Sequence, residues 1–173
     1  TGAGTWALAD FVSFARTLSA LNSAQTVCAA LRTWWIVAAS GVSASCPADT
    51  TEHQLASITL PANSLGANGG CRIHTLWTCT NSANNKMMRV RWSGAAGTQM
   101  LNTAQTTVAF LRDVREFWNQ NATNSQRYHA ATTTYGTGST APSTMAVDTT
   151  ASTTVVITGQ KANSGDTLTL NWY

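Results

Sequence analysis

Ionic side chains are scarce in this chain. Charged residues make up 10% of its 173 positions, against about 25% in an average soluble protein. Seven are acids and ten are cations, so the net charge is only +3. A general nucleic-acid binder needs a dense Lys/Arg footprint, and no such cluster occurs. No apolar run reaches the ~18 residues of a membrane-spanning helix. Cysteine is sparse as well, with Cys28, Cys46, Cys71 and Cys79 alone, whereas a small secreted disulfide scaffold carries many more. No leader-like apolar core follows Arg16, which runs into Thr17-Leu18-Ser19. These features lead us to expect four reduced thiols in a protein made in a cytoplasm.

What is present is neutral and polar. The chain holds 29 Thr, 15 Ser and 12 Asn, so hydroxyls and amides must wet its surface. Disorder is excluded by a 43% hydrophobic content and seven tryptophans. The length suits one domain with a small extension.

Residues 1–45 read differently from the rest. Trp6, Phe11, Phe14, Leu18 and Leu21 recur at near-helical spacing. Asn22-Ser23 breaks that stripe, and Ser23 can cap a second short helix with Ala24, Val27, Cys28 and Leu31 on one face. Helices this short need something to dock on. Trp34-Trp35-Ile36-Val37 is an apolar patch that also needs cover. Residues 1–45 are therefore expected to be a helical docking segment, with Trp6, Phe11, Phe14, Trp34 and Trp35 as a candidate attachment patch.

From about residue 46 the period changes to two. In residues 54–60, Leu55, Ser57 and Thr59 oppose Ala56, Ile58 and Leu60. In residues 71–79, Cys71, Ile73, Thr75 and Trp77 oppose Arg72, His74, Leu76 and Thr78. Met88, Val90 and Trp92 face away from Arg89 and Arg91, the mark of a half-buried strand. Further candidate strands cover residues 99–102, 106–119, 125–135, 145–149, 153–158 and 166–173. Residues 108–118 fit either a helix or a strand, because Phe110, Val114, Phe117 and Trp118 suit both periods. The strand count, with turn signals between, predicts an all-β antiparallel jelly-roll sandwich of about eight strands over residues 46–173, preceded by a short N-terminal helical segment.

No reaction chemistry emerges. A hydrolase needs paired carboxylates or a nucleophile with its base. Asp113 and Glu116 fall on opposite faces of a strand and do not converge; pairing with Arg112 and Arg115 at a subunit contact suits them better. His53, Cys71, His74 and Cys79 match no common zinc spacing, and His74 points away from Cys71. Cys71 and Cys79 share a face but lie roughly 26 Å apart at about 3.3 Å per residue, too far to pair on one strand. Gly66-Ala-Asn-Gly-Gly70 lacks the Lys-Ser/Thr of a phosphate loop and reads as a turn. Asn121-Ala-Thr123 matches a glycosylation acceptor, and bracing a loop is its expected role. We therefore expect no enzyme activity, no cofactor and no metal. Trp77 and Trp92 read as core. Arg89 and Arg91 share an outward face, and with Trp118, Tyr128 and Tyr135 they are the candidate residues for a glycan or subunit contact.

Several ordered motifs carry a family resemblance. They are Leu55-Ala-Ser-Ile-Thr-Leu-Pro-Ala-Asn-Ser-Leu-Gly-Ala-Asn-Gly-Gly, Arg72-Ile-His-Thr-Leu-Trp-Thr-Cys-Thr-Asn-Ser-Ala-Asn-Asn-Lys, Arg89-Val-Arg-Trp, Asn119-Gln-Asn-Ala-Thr-Asn-Ser-Gln and Val155-Val-Ile-Thr-Gly-Gln-Lys-Ala-Asn-Ser-Gly-Asp-Thr-Leu-Thr-Leu. Over residues 50–173 they resemble a module of tailed-bacteriophage virion structural proteins. The resemblance implies a jelly roll, typically trimeric, in a tail fibre or appendage on the exterior of the particle. A capsid-decoration protein is the alternative it leaves open. It makes residues 108–118 a strand. It implies partners in other copies of the chain and in tail, baseplate or capsid proteins, with a host-surface glycan as a further contact and neither nucleic acid nor membrane. Leu21-Asn-Ser-Ala-Gln-Thr-Val-Cys-Ala-Ala-Leu-Arg is similar to the Ala-rich helix that often precedes the distal module of phage fibres.

Overall fold

The structure is a computed structural model and describes residues 34–129 and 141–173. The chain divides at Val37/Ala38, and the unit from Ala38 to Tyr173 contains every strand found among the described residues. The expected N-terminal helices, with Trp6, Phe11 and Phe14, lie outside the described residues. So do Cys28 and Tyr135. Trp34 and Ile36 are exposed and Trp35 is half-buried.

The described residues form ten strands and no helix. They are β1 (Ala44–Ser45), β2 (His53–Leu60), β3 (Gly70–Cys79), β4 (Lys86–Trp92), β5 (Thr98–Gln105), β6 (Phe110–Asn119), β7 (Gln126–Tyr128), β8 (Ser143–Met145), β9 (Thr153–Lys161) and β10 (Leu168–Trp172). All pair antiparallel, in a six-stranded sheet of order β1-β10-β3-β6-β7-β8 and a four-stranded sheet of order β2-β9-β4-β5. The fold is thus all-β, as the period-two pattern predicts. The ambiguous stretch is β6, paired residue for residue with β3 from Gly70↔Trp118 to Thr78↔Phe110. Its β-branched and aromatic residues suit a pleated surface, and pairing decides what periodicity alone does not.

Alternation places the core. Ile73, Trp77 and Cys79 of β3, Phe117 of β6, and Leu168 and Leu170 of β10 are buried on one sheet. Ala56 and Leu60 of β2, Met88, Val90 and Trp92 of β4, Leu101 of β5, and Val155 and Ile157 of β9 are buried on the other. Trp92 stacks on Phe117 at 3.8 Å between ring centroids, so the inner faces of the two sheets meet there. Burying each such side chain stabilises the fold by about 1.5–3 kcal/mol. Trp77 and Trp92 are both fully buried, where the sequence places them.

Charged groups also enter the interior. Lys86 and Lys161 are opposite one another on β4 and β9, and both are buried. The Lys86 ammonium donates to the carbonyl oxygens of Thr106 (2.8 Å) and Ser82 (3.2 Å) and to Ser82 Oγ (3.0 Å). Lys161 donates to the carbonyls of Asp166 (2.8 Å) and Ser164 (3.3 Å). Without such acceptors, two buried ammoniums would be prohibitively costly. Asp113 and Arg115 face inward from β6 as a two-bonded pair, Nη2 to Oδ1 at 2.7 Å and Nε to Oδ2 at 2.9 Å. Arg115 is thus Asp113's partner, as the sequence suggests, but inside the subunit.

Candidate functional site

The two outer faces carry the residues singled out by sequence. On β4, Arg89 and Arg91 point outward together and converge on one carboxylate, Glu52. Arg89 Nη1 lies 3.0 Å from Glu52 Oε2, and Arg91 reaches both carboxylate oxygens, with Nη2 at 3.2 Å from Oε2. Thr158 of β9 donates to the same carboxylate and accepts from Arg91 Nη1 at 2.8 Å. Arg89 also donates to Asn102 Oδ1 and Gln160 Oε1, each at 3.1 Å. This is a clamp in which β4 and β9 meet the segment before β2 at Glu52, with β5 tied in through Arg89 and Asn102. The Arg91 guanidinium holds the Glu52 carboxyl below its ordinary value, against an opposing push from burial. A carboxylate so held stays ionised at neutral pH and cannot serve as a general acid. Arg91 is only 7% exposed, so it is a buried brace where the sequence suggests a solvated face.

The other outer face belongs to the six-stranded sheet. Along β6, Phe110, Arg112, Val114, Glu116 and Trp118 point outward; from β3, Thr78, Leu76, His74 and Arg72 lie opposite the first four, and Gly70 lies opposite Trp118. Phe110 is 65% exposed and Trp118 40%. Arg72 Nε donates to Glu116 Oε1 at 2.6 Å across the pair. The cross-strand partner of Trp118 is glycine for a steric reason. A Cβ at Gly70 would lie 2.4–2.8 Å from three atoms of the indole, so the ring lies across a backbone seat that only glycine leaves open. On the far side of β6, Arg127 of β7 is opposite Trp118 and exposed.

The candidate contact residues therefore do not form one groove. Arg89 and Arg91 sit on one sheet and Trp118 on the other. Tyr128 is opposite Phe117, so it shares the inward side of its sheet and faces away from Trp118. Sequence reasoning missed Arg72, Glu116 and Arg127 as neighbours of Trp118. The only signal was a glycine starting one strand and a tryptophan near the end of another, and no local pattern reveals that register.

The remaining candidates are structural. Asp49 accepts from His53 Nε2 at 2.8 Å, which holds the Asp49 carboxyl below its ordinary value. Cys71 and Cys79 face inward from β3 and His74 outward, and no group of three potential metal ligands occurs among the described residues. Cys46, Cys71 and Cys79 are free thiols. Burial pushes Cys46 up to about 11 and Cys71 to about 12, and raises Cys79 as well; a thiol so shifted is a poor nucleophile and a poor ligand. At Gly66-Ala-Asn-Gly-Gly70, Gly69 N–H closes a turn on the Gly66 carbonyl at 2.8 Å. Asn121 takes a positive φ of 55°, a conformation that asparagine tolerates better than most residues. Among the described residues, no helix is long and apolar enough to cross a membrane.

Comparison with protein-family models, curated proteins and solved structures finds no match to this chain.

Proposed function

We propose that this chain is a bacteriophage virion structural protein, a homotrimeric jelly-roll component of a tail fibre or appendage on the particle exterior. The observation that carries the reading is strand order. β1, β3, β6 and β10 lie together in one sheet, in the order β1-β10-β3-β6, and β2, β9, β4 and β5 in the other. Apart from the β4–β5 hairpin, successive strands of this set alternate between the two sheets, an order that supports the eight-strand jelly-roll arrangement of viral capsid and lectin domains. On this reading β7 and β8 are a short addition at the β6 edge.

The engaged acids support a scaffold over an enzyme. Each of the six in the described residues is tied to a different partner: Asp49 to His53, Glu52 to Arg91, Asp113 to Arg115, Glu116 to Arg72, Asp148 to Thr150, and Asp166 to Ser82. The exposed Phe110, with half-buried Leu76 and Val114 beside it on the outer face, supports association with further copies, which would withdraw that surface from water. The N-terminal segment, read from sequence as residues 1–45, then provides attachment to tail, baseplate or capsid.

Two measurements test this. Sedimentation equilibrium at micromolar concentration is expected to give three times the 18.3 kDa chain mass; a stable monomer refutes the trimer. Gold-labelled antibody against the β-domain is expected to mark purified phage particles at a few sites each. Unlabelled particles refute the virion assignment, and hundreds of copies on the head replace the fibre by capsid decoration.

A further inference from the structure

We infer that the Trp118 end of the outer six-stranded face is a binding subsite for an acidic saccharide, with Trp118 as the stacking platform and arginines on both flanks. The inference goes beyond the virion reading: a sugar-binding monomer would refute the trimer and leave the platform standing.

The platform is set by the backbone. Gly70 receives the indole and excludes any side chain beneath it, so the ring is supported from below while 40% of the residue stays open to solvent. A rigid, supported aromatic loses little conformational freedom when a flat apolar partner lands on it. The C–H face of a pyranose is such a partner, because its axial hydrogens meet the negative face of the ring.

The flanks decide the charge. Arg72 lies two residues beyond Gly70 on β3, where Glu116 orients it by its Nε at 2.6 Å. Arg127 lies opposite Trp118 on β7 and makes no salt bridge to any described residue. The exposed Arg127 guanidinium beside the Trp118 platform favours a carboxylate-bearing sugar over a neutral one. A guanidinium offers a planar pair of donors that matches a carboxylate, and Glu116 already fixes that of Arg72. Asn68 and Gly69, in the loop that leads into Gly70, bring an exposed amide side chain to the same edge. Stacking sets the position of the ring and the arginines select its charge.

The test uses the full chain and two probes of equal length, tetragalacturonate and neutral maltotetraose, read by saturation-transfer NMR and calorimetry. Tetragalacturonate is expected to bind with a Kd on the order of millimolar or tighter, and maltotetraose about tenfold more weakly. Trp118→Ala is expected to weaken tetragalacturonate roughly ten- to hundredfold. Arg127→Gln, a change at an exposed position, is expected to weaken it about fivefold or more and to erase the preference for the charged probe. Gly70→Ala lifts the indole from its seat and is expected to act in the direction of Trp118→Ala, with the fold checked by circular dichroism. Absence of transfer at about 10 mM tetragalacturonate overturns the inference, and so does unchanged binding in Trp118→Ala. It is also overturned if no saccharide binds and Trp118→Ala lowers the sedimenting mass, because the face is then a contact between copies of the chain.

Discussion

Gly159 sits where two sheets leave no room, and Gly159→Ala turns that into a number. It lies on β9 between β2 and β4, opposite His53 and Met88. A Cβ there would come 2.7 Å from Cys46 Sγ, 3.0 Å from Leu168 Cδ2 and 3.2 Å from Leu55 Cδ1. Ordinary contacts between such atoms are about 3.5–4.0 Å, so the sulfur must retreat by roughly 1 Å. Cys46 has one side-chain torsion to do this with, and its main chain is pinned by a 2.9 Å bond to the Leu168 carbonyl. The leucine methyls are flexible ends and give more easily. Overpacking of this kind costs about 1–3 kcal/mol, or a fall in Tm of roughly 3–10 °C for a domain of this size. Cys46→Ala removes the sulfur, so the double variant is expected to recover about 1 kcal/mol relative to the sum of the singles. Urea unfolding followed by tryptophan fluorescence measures all four corners of the cycle. Two controls bracket the result. Gly66→Ala meets nothing within 4 Å and is expected to be near neutral, while at Gly97 a Cβ would lie 1.9 Å from the Trp92 carbonyl oxygen, a clash with backbone that no side-chain change relieves. A neutral Gly159→Ala, or strict additivity with Cys46→Ala, would refute the packing argument.

Removing one partner from each of two ion pairs separates buried from exposed charge: Asp113→Ala strands the buried Arg115 and is expected to cost about 3–5 kcal/mol, whereas Glu116→Ala, opposite the exposed Arg72, is expected to cost under about 1 kcal/mol by denaturant titration. Stability is expected to fall on acidification. Glu52 has a folded pKa depressed by Arg91, so its contribution is complete above the ordinary glutamate value and is lost as pH drops through the lower folded value; a Glu52→Gln variant with an unchanged acid limb in a pH series of Tm would exclude this cause. In a Cys28→Ser background, Cys46, Cys71 and Cys79 are expected to resist iodoacetamide at pH 8 and to label only in denaturant, since two of them are pushed up to about 11 and about 12; rapid labelling of the native chain would contradict the burial of Cys46 and Cys79 and the raised value of Cys71.

Strand positions were legible because burial on one face writes a period of two into the chain. Residues 71–79 and 88–92 show it cleanly, and β3 and β4 cover both. β1 was not legible: two residues, Ala44 and Ser45, carry no periodicity, and they become a strand only by pairing with Leu170 and Thr169. The inward charges were hidden for a different reason. Alternation assigns a lysine or an arginine to solvent, yet Lys86, Asp113, Arg115 and Lys161 occupy buried positions because carbonyls or a partner satisfy them there. Long-range ties were invisible too. Glu52 and Arg91 are 39 residues apart in sequence, and their meeting follows from β4 and β2 flanking β9. Of the candidate contact site, Trp118 was legible as an aromatic whose face could stack on a sugar ring. Its glycine seat and flanking arginines follow from the β3–β6–β7 register, which no single stretch encodes.

The two buried lysines have a consequence for the chain's exterior. Lys86 and Lys161 are the only lysines in the sequence, so every cationic side chain left for the surface is an arginine or a histidine. The outside of the β-domain carries no ε-amine for acetylation, amine-reactive dyes or ester cross-linkers. Its fixed positive charge cannot be neutralised by raising the pH through the lysine range, because guanidinium holds its proton beyond it. Trypsin acting on the folded β-domain has arginine alone to work with. Appearance of acylated Lys86 or Lys161 would report that the end of the core near Ser82, Thr106 and Asp166 had opened, which makes the pair a built-in chemical reporter of unfolding.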